Sequence, residues 1–364
     1  MNQEPKDMLL LTPDFLPSRG GVARYLGLFA DYFAKRIRVI ASPLETGTDI
    51  TPAYLFERRE LLSKRLWPRW ILSVVLLVKE SKAHRCVITS HVLPFGTAAM
   101  IAKYFTGKPY LVITHGMDVR LALRSKRLLT SRVLSHAYLV IANSNALAQE
   151  LQQTFGLKNI LTIYPCVDPQ FVSNATHVPN STFTLLSVSR LVERKGHERV
   201  LQALARLKLS GLLTAFQYVI VGDGPMKQTL ESLIAELGLG SFVVFKGDVA
   251  DKDLLASYRA ADVFIMPVKD DPIDKEGFGM VYLEAAAYGV PSIATRMSGV
   301  DEAVLQNETG ILVPDGDLEA LMQAILLLAT DEDYRKQLGE AARARVQTEF
   351  TPQAQFSKLE PYLL

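Results

Sequence analysis

The run Val263-Phe264-Ile265-Met266-Pro267-Val268, with the turn that follows in Glu276-Gly277-Phe278-Gly279-Met280-Val281-Tyr282-Leu283-Glu284, decides the architecture. A short apolar run bounded by turn residues reads as a strand buried on both faces. The Ala-rich segment Met280 to Tyr288 reads as a helix stopped by Gly289. A buried strand handing over to a helix is half of a parallel βαβ unit, and ligands of such sheets gather at the carboxyl ends of the strands. Two carboxylates, Glu276 and Glu284, stand at that address. On one continuous helix their spacing would put ~12 Å between them along the axis, too far to grip one ligand atom. With the helix starting near Gly279, Glu276 belongs to the loop and suits sugar hydroxyls. Glu284, in the second turn, suits a ribose diol, because an ionised carboxylate only accepts hydrogen bonds. Gly277 and Gly279 leave the intervening amides bare for a phosphate or sugar oxygen.

Outward from this unit the alternation repeats. In the first half, strands are expected at Met8 to Leu11, Ile37 to Ala41, Cys86 to Ser90, Tyr110 to Thr114 and Tyr138 to Ala142, with helices beginning near Val22, Trp70, Gly96, Arg124 and Asn145. In the second they are expected at Phe183 to Ser189, Gln217 to Val221, Phe242 to Lys246, Asp262 to Val268 and Ser292 to Thr295. The pattern predicts an α/β protein of two Rossmann-like, doubly wound parallel-sheet domains facing a central cleft. Their expected bounds are 1–173 and 174–349, with the Pro- and polar-rich stretch Asp168 to Thr182 as hinge and Ile311 to Asp317 leading into the closing helices.

The 364 residues, 49% hydrophobic and 21% charged, supply ample core for two soluble domains. Cys86 and Cys166 sit in apolar contexts without ligand-like spacing, which reads as packing in a reducing cytoplasm and argues against a zinc site. The start of the chain lacks the basic, apolar and cleavage-site pattern of a secretory leader, so the sequons at Asn174, Asn180 and Asn307 carry no weight.

The net charge of +2 conceals +10 on residues 1–175 and −8 on residues 176–364. Much of the excess lies between Arg58 and Arg85, where Lys64, Arg65, Arg69, Lys79 and Lys82 surround Trp67, Trp70 and the apolar run Ile71 to Val78. That run is too short to span a bilayer, but cations with interfacial Trp suit a helix lying on an anionic membrane surface. Arg120, Arg124, Lys126, Arg127 and Arg132 extend the same character. The alternative is a solvated basic face over a core helix. Nucleic acid fits less well, because the aromatics are not interleaved as a stacking platform.

Four further elements point at the expected cleft. Pro13 to Gly21 follows the first strand and ends in Gly20-Gly21, which leave a helix start open to an anion. His115-Gly116-Met117-Asp118 follows the strand Tyr110 to Thr114. Ser189 to Gly196 carries Arg190, which can fork onto a diphosphate, and Lys195, a point charge that can help neutralise it without magnesium. Gly222-Asp223-Gly224-Pro225 and Gly247-Asp248-Val249 are turns able to present backbone groups to a base edge. Lys227 stands where a dinucleotide fingerprint needs its third glycine. Lys269 to Lys275 is acidic but reads as a solvated loop and not a metal site.

The order and spacing of Gly20-Gly21, His115-Gly116, Ser189-Arg190 with Lys195-Gly196, Gly222 to Pro225, and Glu276 to Glu284 followed by Gly289-Val290-Pro291 resemble the retaining glycosyltransferases of family 4, which have the GT-B fold. The resemblance spans essentially the whole chain and is strongest to phosphatidylinositol mannosyltransferases. It implies a nucleotide-diphosphate sugar as donor, GDP-mannose favoured over UDP-glucose or UDP-N-acetylglucosamine, a lipid-linked or saccharide acceptor, and no cofactor or essential metal. By the same resemblance His115, Arg190, Lys195 and Glu276 form the catalytic set. Gly20, Gly21, Gly222, Gly224, Asp248, Val249, Gly277, Phe278, Gly279 and Glu284 form the donor site. The C-terminal segment 350–364, helical from about Pro352, crosses back onto the first domain. The expected location is cytoplasmic, at the inner face of the cell membrane. Relatives commonly carry Glu where this chain has Asp118, so Asp118 stays outside the catalytic set. A nucleotide-sugar 2-epimerase or a non-catalytic nucleotide-sugar-binding protein of the same fold are the rival readings.

Overall fold

The computed structural model describes residues 7–18, 20–44, 49–173, 182–271 and 277–363. The chain divides into two compact units, one made of Met1–Cys166 with Pro352–Leu364 and the other of Val167–Thr351.

The first unit is built on seven parallel strands: β1 (Met8–Thr12), β2 (Ile37–Ala41), β3 (Leu55–Arg58), β4 (Cys86–Ser90), β5 (Tyr110–Thr114), β6 (Leu139–Ala142) and β7 (Ile160–Thr162). Their order is β3-β2-β1-β4-β5-β6-β7. All five residues of β1 are buried, and they alternate between two cores: Leu9 and Leu11 face one, Met8 and Leu10 the other. Helices therefore cover both faces, as the continuous apolar runs require. The segment Pro352–Leu364 completes one of these cores, with Phe356 and Leu359 fully buried beside Tyr25 and Phe29.

The second unit holds β8 (Phe183–Val188), β9 (Phe216–Val221), β10 (Val243–Gly247), β11 (Val263–Met266), β12 (Ser292–Thr295) and β13 (Gly310–Val313). These six are ordered β10-β9-β8-β11-β12-β13, again all parallel. In each sheet the winding reverses beside the first strand, between β1 and β4 and between β8 and β11. That reversal opens the crevice in which doubly wound sheets hold ligands.

Strands β3, β7 and β13 were not expected. All three are short strands at a sheet edge, each paired with the strand before it in the chain, and β13 (Gly310–Val313) takes up the start of the segment expected to lead into the closing helices. Strand β11 stops at Met266, because Pro267 has no amide to donate and Val268 N–H turns back to the Met266 carbonyl at 2.9 Å. The helix expected near Arg124 begins at Met117, directly after Gly116, and breaks its helical dihedrals at Lys126. The first unit is left at Cys166, ahead of the expected hinge. Phe171 packs in the second unit, 6.0 Å from Tyr258 and 6.4 Å from Tyr288 between ring centroids.

Candidate functional site

In the second unit the turns after β8, β9 and β11 are locked together by backbone. Ser189 N–H donates to the Val221 carbonyl at 3.0 Å, Leu191 N–H to that of Asp223 at 2.9 Å, and Lys269 N–H to that of Arg194 at 2.7 Å. Only glycine fits two of the contacts. A Cβ on Gly222 would stand 2.0 Å from the Ser189 carbonyl oxygen, and one on Gly196 would stand 2.1 Å from that of Pro267. Both have positive φ, at 127° and 73°. Gly222 and Gly224 therefore serve first to pack one turn against another, and the Gly222 amide is already bonded to the Gly247 carbonyl at 2.8 Å. Asp248 is exposed and Val249 half-buried just beyond.

This clamp presents the expected cations. Arg190 is exposed and Lys195 is buried, with Gly196 then starting the helix His197–Leu209 without a side-chain cap. Lys269 is tied to Glu193 at 3.1 Å and to Glu198, while Asp270 beside it is exposed; residues 272–276 of the acidic stretch lie outside the described residues.

Beyond β11, Gly279 at φ 84° opens the helix Met280–Ala287, again without a side-chain cap. Gly277 is half-buried. The Phe278 ring points into the core, 5.7 Å from Phe350 between centroids, so the backbone is the part of this turn left for a ligand. Glu284 is buried, and Tyr258 donates to its Oε2 at 2.7 Å. An acid placed among alanines thus has a neutral donor as a partner, and that hydrogen bond orients its carboxylate. Glu276 lies outside the described residues.

In the first unit the carboxyl ends of β1, β4 and β5 gather a polar cluster. Gly20 holds the N-cap position of the helix Gly21–Tyr32 at φ −72° with no side chain to cap it, and a Cβ there would meet nothing within 4 Å. The fold does not demand glycine at this position. His115 Nε2 lies 3.0 Å from Ser90 Oγ, which lies 3.0 Å from His91 Nδ1, and His91 Nε2 lies 3.5 Å from Asp14 Oδ2. Burial lowers the His115 pKa to about 4; the Asp118 charge opposes this and His91 adds to it. The imidazole is neutral at physiological pH. Asp118 accepts from His115 N–H at 2.8 Å and from Val92 N–H at 3.1 Å, which joins the turns after β4 and β5. Both of its carboxylate oxygens are thus engaged by backbone amides.

Two members of these sites escaped the sequence reading. Tyr258, on the helix Asp251–Arg259, offered no local signal. His91 offered one: like His115, it directly follows a strand. It holds φ 76°, a conformation strained for a side chain of this size and common at functional positions.

Among the described residues no cluster of His, Cys, Asp or Glu could hold a metal ion, and no helix is long and apolar enough to cross a membrane.

Two family models match consecutive parts of the chain: "Glycosyltransferase Family 4" over residues 19–171 and "Glycosyl transferases group 1" over residues 170–345. The chain is 29% identical to the GDP-mannose-dependent alpha-(1-6)-phosphatidylinositol monomannoside mannosyltransferase of Mycobacterium tuberculosis, over 98% of this chain and 97% of that one. It is 28% identical to the N-acetyl-alpha-D-glucosaminyl L-malate synthase of Bacillus anthracis, over 74% and 72%. Among solved structures, HepE of Anabaena in complex with UDP superposes with a TM-score of 0.79 at 19% identity, covering 98% of this chain and 99% of that one. Sucrose-phosphate synthase of Thermosynechococcus elongatus gives 0.79 at 22% identity, covering 98% of both.

Proposed function

We propose that this chain, which belongs to the family 4 glycosyltransferases and is a hexosyltransferase of the GT-B fold, moves mannose from GDP-mannose to a hydroxyl of a lipid-linked or saccharide acceptor, with retention at C1 and without a metal ion. The observation that carries the reading is Glu284, buried yet held ready by Tyr258 at the carboxyl end of β11. A carboxylate so placed matches the diol of a ribose. Arg190, Lys195 and the helix starting after Gly196 meet the diphosphate, and the amides around Gly277 to Gly279, with Glu276, meet the hexose. The choice of GDP-mannose rests on relatives of that specificity that align along nearly the whole chain.

In the reaction the bond from C1 to the diphosphate oxygen breaks, and the electron pair leaves with the phosphate. Arg190 and Lys195 stabilise the charge that gathers there, a contribution strongest where water is excluded. The acceptor oxygen forms the new bond to C1 on the same face, and its proton passes to the departing phosphate oxygen. Neutral His115 lines the hexose as a hydrogen-bonding group and carries no charge of its own.

Membrane contact is the second part of the proposal. The helices Ile71–Glu80, Thr97–Thr106 and Met117–His136 cover one face of the first sheet. Most of the run Ile71 to Val78 is core, since Val74, Leu76 and Leu77 are buried and Trp70 packs against them. The outward apolar side chains of this region include Trp67, Val75, Tyr104, Phe105 and Leu128, with Trp67 86% and Tyr104 87% exposed. Arg124, Lys126 and Arg127 are exposed beside Leu128, and Asp118 is the sole acid between residues 81 and 149. Exposed aromatics with unopposed cations fit an anionic leaflet at the inner face of the cell membrane.

The test is a nucleotide-sugar screen by thermal shift, followed by donor consumption with and without phosphatidylinositol monomannoside vesicles. GDP-mannose should stabilise the protein and be consumed without metal. Stabilisation by a UDP-sugar alone would reassign the donor, and 2-epimerisation with no acceptor present would remove the transferase reading of the site.

A further inference from the structure

Beneath the turn that carries Arg190 and Lys195 runs a line of hydroxyls joined by one imidazole. Ser189 Oγ lies 2.9 Å from His197 Nε2, His197 Nδ1 lies 3.0 Å from Tyr218 Oη, and Tyr218 Oη lies 2.8 Å from Ser187 Oγ, which donates to the Ile265 carbonyl. Ser187, His197 and Tyr218 are buried. A hydroxyl has one proton to give, so the closed end fixes every direction. Ser187 donates to Ile265, hence Tyr218 donates to Ser187. With that proton committed, His197 Nδ1–H must donate to Tyr218. Burial, with the Lys195 charge as a second cause, lowers the His197 pKa to about 4, so the ring is neutral and Nε2 is bare. Ser189 O–H then donates to Nε2. The line thus crosses β9, β8 and β11 and ends on the residue that precedes Arg190.

We propose that His197, held as its Nδ1–H tautomer, is a positioning residue for the donor diphosphate: through Ser189 it sets the turn that presents Arg190 and Lys195. This rests on the reading of that turn as the diphosphate site. A proton on Nε2 would turn the Ser189 hydroxyl toward the Arg190 carbonyl, 3.3 Å away, and leave Ser189 to accept from the ring instead of donating to it. The line is made entirely of the protein's own side chains and one backbone carbonyl, which is what preorganised charge stabilisation requires.

The experiment uses the full chain. A two-bond 1H–15N spectrum of the imidazoles should place the His197 proton on Nδ1 and show no titration between pH 8 and pH 5.5. Calorimetry with GDP and UDP as probes should then find binding weakened about tenfold in Ser189→Ala, one hydrogen bond's worth of positioning, and restored in Ser189→Thr, which keeps the hydroxyl. A proton on Nε2, or nucleotide binding in Ser189→Ala equal to wild type, overturns the role. If wild type binds neither nucleotide, the diphosphate reading falls and this role with it, while the spectrum still decides the direction of the hydrogen bonds.

Discussion

Tyr258 donates to Glu284 Oε2 at 2.7 Å, and a hydrogen bond to a charged group contributes roughly 1.5–3 kcal/mol. Tyr258→Phe keeps the ring packing and removes only the donor, so donor KM should rise about 10-fold or more with little change in kcat. An equal fall in kcat at constant KM would mean that the pair acts in the transition state instead. Burial also holds His115 and His197 neutral, each at about 4 against an ordinary value of 6.5. Unfolding therefore takes up protons between those values. The stability they contribute is complete above pH 6.5 and is lost as the pH falls toward 4. Melting temperatures should drop across that window, and less steeply in His197→Asn, which has nothing to protonate there. At this scale Glu284 was legible because an acid among alanines is costly without a partner. Tyr258 was not, since the partner arrives from another helix through the fold, and His91 lacked the following glycine that singled out His115.

The turns at the strand ends separate glycines the fold needs from one it does not. Gly196→Ala would drive a Cβ to 2.1 Å from the Pro267 carbonyl at φ 73°, and overpacking against backbone costs about 1–3 kcal/mol or more. The second unit should melt several degrees lower, as calorimetry of the variant would register. Gly20→Ala meets open space at negative φ, so its melting temperature should match wild type; if phosphate docks at this helix start, the added methyl should lower donor turnover. A Gly20→Ala variant with full turnover would remove Gly20 from the site. The alternation of strands and helices was readable because doubly covered strands are apolar throughout, as in β1 and β11. Strands β3 and β7 were not, because an edge strand of half-buried residues looks like loop until its partner is known.

Across the molecule, the last segment belongs to the first unit. Phe356 lies 5.6 Å from Tyr25 and 5.3 Å from Phe29 between ring centroids, and Gln355 Oε1 accepts from Tyr164 N–H at 2.9 Å. Phe356→Ala should cost about 3–5 kcal/mol, lowering the transition of the first unit more than that of the second in a two-transition calorimetric scan. The charge asymmetry is also a whole-molecule property. Sedimentation with vesicles should increase with anionic lipid and fall with salt, and Trp67→Ala with Tyr104→Ala should weaken it. Binding indifferent to both lipid charge and salt would remove the membrane surface. The account as a whole depends on Glu284 holding the ribose of a nucleoside diphosphate. A double cycle measures this directly, comparing the affinities of wild type and Glu284→Ala for GDP and UDP with those for their 2′,3′-dideoxy forms. The account predicts that loss of the diol weakens wild type by an order of magnitude or more, on the scale of paired hydrogen bonds to a charged group, and does not weaken Glu284→Ala further. Equal losses in both proteins would mean that the carboxylate and the diol never meet.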